Sequence, residues 1–262
     1  MIAKHDLNSQ QQHLSSTSYD LRITNLARFL YKYAKRVTCN AKRPKLLDVG
    51  AGNGLLLKFF KAQGFEISGF ELEKKNVENI KKDPLLKNEN IHQGDITKLE
   101  GNQEYDVVIA SDVIEHIKDD ILAIQNLWSF VKPNGILIIT VPAHSFLFGM
   151  RDVKWGHFRR YDQKLLLDII NKAISDKTQI VKRETFEIEF ATEWNSMGFF
   201  VYFLFEKILH KPINETMRYS DSFFSKLARY VLELILRIEE YLGGVPLGLT
   251  LIVGIKKLSN KR

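Results

Sequence analysis

A single cysteine, Cys39, stands in 262 residues. That excludes internal disulfides and any metal site built from cysteines alone, and it points to a reducing compartment, here the cytoplasm. The first residues are polar and rich in Gln, Ser and Asn, so they do not read as a secretory signal; residues 1–18 are expected to form a mobile tail. Beyond that tail there are no internal repeats or low-complexity tracts. No appended RNA-binding module or basic aromatic motif accompanies the net charge of +7, so nucleic acid is not the expected partner. The charge fits an anionic membrane face, a phosphorylated substrate or a lysine-rich solvated surface. An apolar fraction of 45% is ordinary for a globular chain. The length suits one large α/β domain, or a core domain carrying an insertion.

What the chain does have is Lys45-Leu-Leu-Asp-Val-Gly-Ala-Gly-Asn-Gly-Leu-Leu-Leu57. A short apolar strand meets Gly50, Gly52 and Gly54 and continues as a helix. Such a turn accepts positive φ and lets a ligand lie against bare backbone, with the N–H groups of the next helix aimed at it. The dinucleotide fingerprint is G-x-G-x-x-G/A, whereas this chain reads G-x-G-x-G, with Leu55 at the last fingerprint position. A second apolar strand, Phe65 to Phe70, ends in Glu71, an acidic residue about 20 positions after the glycines and suited to a ribose diol.

On these residues the chain resembles the class I S-adenosylmethionine-dependent methyltransferases. Leu47 to Gly54, with Asp48, is similar to their first motif, and Gly69-Phe70-Glu71 to their ribose-binding strand end. The resemblance implies a doubly wound, seven-stranded Rossmann-like α/β sheet with S-adenosylmethionine as cofactor. The glycines and Asp48 would face the methionine side, Glu71 and Leu72 the ribose side, and Asp95 with Ile96 the adenine. Asp95 also reads, less favoured, as a turn or helix cap. The fourth strand, Tyr105 to Ala110, leads into Ser111-Asp-Val-Ile-Glu-His116, which resembles the Glu-x-x-Glu-His segment of ubiquinone-biosynthesis-type O-methyltransferases with Asp112 for the first glutamate. Ser111 is placed by that resemblance at the cofactor. If the segment is helical, Asp112, Glu115 and His116 share one face. The relatives imply a metal there, but the shorter Asp112 weakens that, and no metal is assigned. His116 then packs beside the methyl-transfer centre. The Asn/Asp-Pro-Pro-aromatic segment of enzymes that methylate amide-like nitrogens is missing.

Helices are expected from Tyr19 to Val37, Leu55 to Ala62, Lys75 to Lys82 and Lys118 to Lys132. The first of them either covers the cofactor site or packs on the sheet edge. Pro133-Asn134-Gly135 reads as a turn before the strand Gly135 to Pro142. The loop beyond that strand gathers His144, Arg151, Asp152, Lys154, His157, Arg159 and Arg160, and resembles a group of bacterial methyltransferases with Val-Pro-Ala-His and Gly-His-x-Arg-Arg-Tyr. His116, His144 and His157 are the candidate bases. The arginines either recognise an anion or clamp the loop. Asp162 is the expected cap of the next helix.

Strands six and seven are expected at Thr185–Phe190 and Leu249–Ile255, which leaves residues 191–248 as an apolar helical insertion in a single domain, 19–262. Met197 to Phe205 is uncharged but too short to span a bilayer. From Ser220, Asp221 or Ser222 to Tyr241 a helix carries only a narrow polar stripe, Lys226, Arg229, Glu233, Arg237 and Glu240, and must lie buried or against something greasy. The chain is thus expected to methylate an oxygen of a small, lipid-linked or glycan acceptor, anionic in some cases, with peripheral membrane contact open. RNA or protein methylation, or cofactor binding without catalysis, are the rival readings.

Overall fold

The computed structural model describes residues 20–176, 185–211 and 223–259. The expected tail and the caps at Ser220, Asp221 and Ser222 lie outside the described residues. Helix α1 (Leu21–Thr38) starts where the Asp20 carboxylate accepts the N–H groups of Arg22 and Ile23, satisfying two of the donors that a helix start leaves open. There follow β1 (Lys45–Val49), α2 (Leu55–Ala62), β2 (Glu66–Glu71), α3 (Lys74–Lys82), β3 (Asn90–Gln93) and β4 (Tyr105–Ser111). The second half holds α4 (Asp120–Phe130), β5 (Val131–Pro142), α5 (Met150–Trp155), α6 (Gln163–Asp176), β6 (Phe186–Trp194), α7 (Ser196–Tyr202), α8 (Phe223–Leu242) and β7 (Thr250–Lys257).

The seven strands lie in the order β3-β2-β1-β4-β5-β7-β6. The first five in that order run parallel, and β7 is antiparallel to both neighbours. From β1 the chain winds outward through β2 and β3, then returns to β4 on the other side. The crevice beyond the carboxyl ends of β1 and β4 is therefore the switch point where such sheets bind ligands. Alternation along the strands makes two cores. Leu46, Ile67, Val107, Ile109, Ile136 and Ile138 face α1 and α2 on one side. Leu47, Val49, Val108, Leu137, Ile139 and Val253 face α4 and α6 on the other. Each fully buried aliphatic side chain contributes about 1.5–3 kcal/mol, so the sheet is fixed from both faces.

Three boundaries differ from expectation. Strand β6 runs on to Trp194, because residues through Trp194 still pair with β7 and its indole is fully buried; the insertion begins at Asn195, not Ala191. Strand β5 begins at Val131, ahead of the expected turn. The turn survives as an irregularity within the strand, with Asn134 at φ 65° and the pairing jumping from Tyr105↔Val131 to Val107↔Ile136. The helix expected from Lys118 starts at Asp120, where the Asp119 carboxylate accepts the Leu122 N–H.

The uncharged run of the insertion forms α7 and a following π-helical turn, Phe203–Ile208. Helix α8 returns against α1, with Leu236 buried and Leu232 packed beside it. Lys32 Nζ donates to the carbonyls of Glu240 and Tyr241 at 3.0 and 3.2 Å. Among the described residues no helix is long and apolar enough to cross a membrane.

The insertion is fastened by Glu239, whose carboxylate accepts the N–H of Asn195 at 2.6 Å, the N–H of Ser196 at 2.9 Å and the Ser196 hydroxyl. It is nearly fully buried. Glu239→Ala strands these donors and should lower unfolding free energy by about 2–4 kcal/mol in urea titrations. Glu239→Gln, which keeps an acceptor, should lose less. A loss under about 0.5 kcal/mol in the alanine variant would mean that other contacts hold the junction.

Candidate functional site

The glycine turn between β1 and α2 is left-handed at three places, with φ of 81°, 54° and 75° at Gly50, Gly52 and Gly54. A Cβ on Gly50 would meet Val113 Cγ2 at 2.4 Å, and one on Gly54 would meet Leu86 Cδ1 at 2.8 Å. Only glycine fits both positions. The N–H groups of Gly50 and Ala51 donate to the Phe70 carbonyl at 2.8 and 3.1 Å, which closes the turn onto the end of β2. Glu71, the next residue, accepts the Gly52 N–H on Oε2 at 2.8 Å and the Glu73 N–H on Oε1 at 3.0 Å.

Beneath the turn lies Asp48, 1% exposed, with neither carboxylate oxygen partnered among the described residues. Burial, and then the charge of Glu71, push its carboxyl up to about 7. An orphaned buried carboxylate under an open glycine turn suits a ligand with a positive group, and the donor set around it fits an amino-acid nucleoside. Leu72 follows Glu71 as an exposed apolar side chain. Asp95 caps the short turn Ile96–Lys98 by accepting the N–H and hydroxyl of Thr97 at 3.0 and 2.8 Å. Ile96 is buried there. At the end of β4, Ser111 Oγ lies 2.9 Å from Thr140 Oγ1 of β5.

The segment after Ser111 departs from the expected helix. Asp112 is left-handed at φ 54° and only Ile114–His116 turns, as a 3-10 helix. Asp112, Glu115 and His116 therefore do not line one helical face. Asp112 instead accepts Arg22 Nη2 at 2.7 Å, so the first turn of α1 is tied to the end of β4. The same helix buries Leu26, Phe29 and Leu30 in the core; it both packs on the sheet and reaches the site.

His157 takes the place left by Asp112. The ligand atoms of Glu115, His116 and His157 lie within 4.8 Å of one another, and the two imidazole rings meet edge to face at 4.7 Å. Glu115 is fully buried, and neither of its oxygens has a partner among the described residues. Burial and the neighbouring Asp112 push its carboxyl well up. Burial, and then His157, push His116 down to about 4, so it is neutral at pH 7. These three groups are the donors that could seat a divalent cation.

His157 is oriented by Asp152 through Nδ1 at 2.8 Å. Asp152 also accepts Arg160 Nε on both oxygens at 2.9 Å, the Tyr202 hydroxyl at 2.9 Å and the Gly149 N–H at 3.0 Å. Burial alone would raise this carboxyl; the bond from His157 and the Arg160 charge outweigh it and hold Asp152 well below the usual carboxylate range. Arg159 is likewise engaged, with Asp120 and the Lys118 carbonyl. Both arginines thus clamp the loop. Asp162, expected as a helix cap, accepts the N–H and the hydroxyl of Ser145.

The third histidine serves another junction. His144 Nε2 lies 2.9 Å from the Gly248 carbonyl and 3.1 Å from Glu193 Oε2, so that nitrogen carries the hydrogen. Its ring packs against Phe146 and Phe199. Sequence reasoning missed Arg22, Tyr202 and the central place of Asp152. The only local signal for the last is the left-handed Gly156 that ends α5 and folds His157 back onto Asp152.

Comparison with known proteins fits this geometry. A methyltransferase-domain family model matches residues 19–175. The ubiquinone biosynthesis O-methyltransferase of Rickettsia typhi is 37% identical over 114 residues, 40% of this chain and 45% of the relative. That of Rickettsia conorii is 30% identical over 145 residues, 52% of this chain and 50% of the relative. The chain thus spans about half the length of the curated relatives it matches. Among solved structures, an S-adenosylmethionine dependent methyltransferase from Mesorhizobium loti superposes with a TM-score of 0.53 at 12% identity, covering 87% of this chain and 97% of that one; at that identity the likeness speaks for the fold alone. The chain belongs to the methyltransferase-domain family and has the class I architecture whose cofactor is S-adenosylmethionine.

Proposed function

We propose that this chain transfers a methyl group from S-adenosylmethionine to an oxygen of a small or lipid-linked acceptor, anionic acceptors included. The observation that carries the reading is the Asp152–His157 pair beside His116, on the segment whose Val113 packs against Gly50 of the glycine turn. With Nδ1 committed to Asp152, Nε2 of His157 keeps its lone pair and serves as general base for the acceptor hydroxyl. Asp152, held anionic, steadies the imidazolium that results, the division of labour known from Ser-His-Asp enzymes. His116, neutral at pH 7, adds no competing charge next to it. The name of the Rickettsia relatives, O-methyltransferase, supports an oxygen acceptor.

On the donor side, Gly50, Gly52, Gly54 and Ser111 accommodate the methionine end, and Asp48 offers its carboxylate to the ammonium group. Glu71 receives the ribose hydroxyls with Leu72 beside it, Ile96 gives apolar contact to the adenine, and Asp95 meets its amino group. The bound sulfonium supplies an already activated methyl group. The residues of the chain therefore align the two partners, exclude water and take up one proton. One observation favours a second reading of the acceptor pocket. Glu115 is buried without a partner among the described residues, and with His116 and His157 it offers three ligands to a divalent cation, whose Lewis acidity would then replace base catalysis.

Transfer of labelled methyl groups into lipid, glycan and RNA extracts distinguishes the acceptor classes, and label in RNA alone would contradict the proposal. With an acceptor in hand, His157→Asn should lower kcat by about 10²- to 10⁴-fold while S-adenosylmethionine affinity stays within about twofold. An unchanged kcat would rule out this base. Activity lost on chelation and restored by a divalent cation favours the second reading.

Asp48 gives a test without an acceptor. Its folded-state carboxyl is raised to about 7 from 3.8. The stability it permits is therefore complete below pH 4 and lost as pH climbs through about 7, because the folded state must give up a proton that it holds more tightly than the unfolded chain. Relative to the parent, Asp48→Asn should gain stability progressively between pH 4 and 7, by about 2–4 kcal/mol in urea titrations. Saturating S-adenosylmethionine should narrow that difference. A pH-independent difference would contradict the assignment.

A further inference from the structure

Helix α8 buries Leu236 against α1 but leaves a second apolar stripe outside. Leu227, Tyr230, Leu234, Ile238 and Tyr241 recur at helical spacing and are all exposed, from 49% at Leu227 to 85% at Tyr241. Two of its acidic residues reach the protein instead. Glu239 is 2% exposed, and Glu233 reaches Arg28 of α1 at 3.9 Å. Rolling the helix to bury the apolar stripe would pull the Glu239 carboxylate away from Asn195 and Ser196 and expose those donors. The ionic anchors therefore hold a greasy stripe outward, the reverse of an ordinary surface helix.

A second apolar surface starts from the same anchor. Glu239 holds the start of α7, and from there Phe200, Leu204 and Ile208 are exposed. Phe203 packs edge-on to Phe146 at 6.4 Å, and Phe146, itself 57% exposed, belongs to the loop beyond the carboxyl end of β5. Exposed apolar surface thus extends to the loop that borders the acceptor side of the sheet. Cations accompany it. Lys207 lies in the π-helical turn and the exposed Lys211 follows it, Arg237 stands exposed on α8 while pairing with Glu233, and Lys32 sits at the helix end.

We propose that the outward face of α8, together with the Phe200–Ile208 surface, seats this protein on a bilayer containing anionic lipid. Apolar side chains enter the headgroup boundary, exposed tyrosines suit that interface, and lysines and arginines meet the phosphates. A second copy of the chain would also cover the stripe, but it would bring two bodies of net charge +7 together, whereas an anionic surface attracts that charge. The proposal goes beyond the methyl-transfer reading: it concerns a surface built from residues other than those of the glycine turn and survives if the acceptor proves soluble.

Co-sedimentation of the full chain with vesicles tests it. The parent should bind phosphatidylcholine vesicles containing phosphatidylglycerol at least about 10-fold more tightly than pure phosphatidylcholine vesicles, and bind less at high salt. A double variant, Leu234→Ser with Ile238→Ser, changes only outward positions. It should lose about 10-fold or more in vesicle affinity while binding S-adenosylmethionine in calorimetry as the parent does. A second variant, Phe200→Ser with Ile208→Ser, checks the other surface in the same way. A parent indifferent to both vesicle types overturns the proposal, as does a double variant that binds as the parent does. So does light scattering that finds a dimer in the parent and a monomer in the double variant, which would make a second copy the occupant. Because calorimetry reads the cofactor turn separately, failure of vesicle binding is distinguishable from failure of the methyl-transfer reading.

Discussion

The bond from Gly52 N–H to Glu71 is the contact on which the site depends. It joins the turn after β1 to the end of β2, and two further N–H groups of the turn reach the Phe70 carbonyl beside it. Three left-handed residues in five positions would not hold their shape unaided. Here they are fixed because the adjacent strand supplies the acceptors and because Val113 and Leu86 pack where side chains would otherwise stand. The result is a turn with partly exposed backbone above and, below it, a buried carboxylate unpartnered among the described residues. Binding energy in such a site goes into contacts with the ligand rather than into ordering the loop.

Buried carboxylates organise the rest of the molecule in the same manner. Asp152 gathers a guanidinium, an imidazole, a phenol and a backbone N–H, and so fixes the loop after β5, the histidine and helix α7 in one network. Glu239 does the equivalent for the start of α7 and the orientation of α8. Asp112 binds the first turn of α1 to the end of β4 through Arg22. Each acid links segments far apart in the chain. Satisfied networks of this kind define one geometry, since breaking any member leaves a charge buried without a partner.

Their long range explains what was legible in the sequence. The glycine turn, its flanking strand and helix, and the apolar strands β4 and β5 were readable because each is a local pattern with period two, period 3.6 or a glycine cluster. The doubly wound, seven-stranded class of the sheet followed from the resemblance, and the order of its strands came only with the structure. Strand β6 was cut short because Ala191 to Trp194 lacks a clean alternation; its extension is imposed by pairing with β7. The shared face of Asp112, Glu115 and His116 held only if the segment was helical, and one left-handed residue, at φ 54°, removes that condition. The narrow polar stripe of α8 was plain, but not the inward anchor Glu239 beside it or the pairing of Glu233, since their partners Asn195, Ser196 and Arg28 lie dozens of residues away or more. The meeting of Glu115 and His116 with His157 has the same cause.

The central claim is that Glu71, fixed by the glycine turn, recognises the nucleoside of the methyl donor. Calorimetric titration of S-adenosylmethionine into the parent and into Glu71→Gln tests it most directly. The account predicts binding in the parent and an affinity weaker by about 10-fold or more in the variant, with far-UV circular dichroism unchanged. Equal affinity in the two proteins, or a parent that does not take up the ligand, would contradict it.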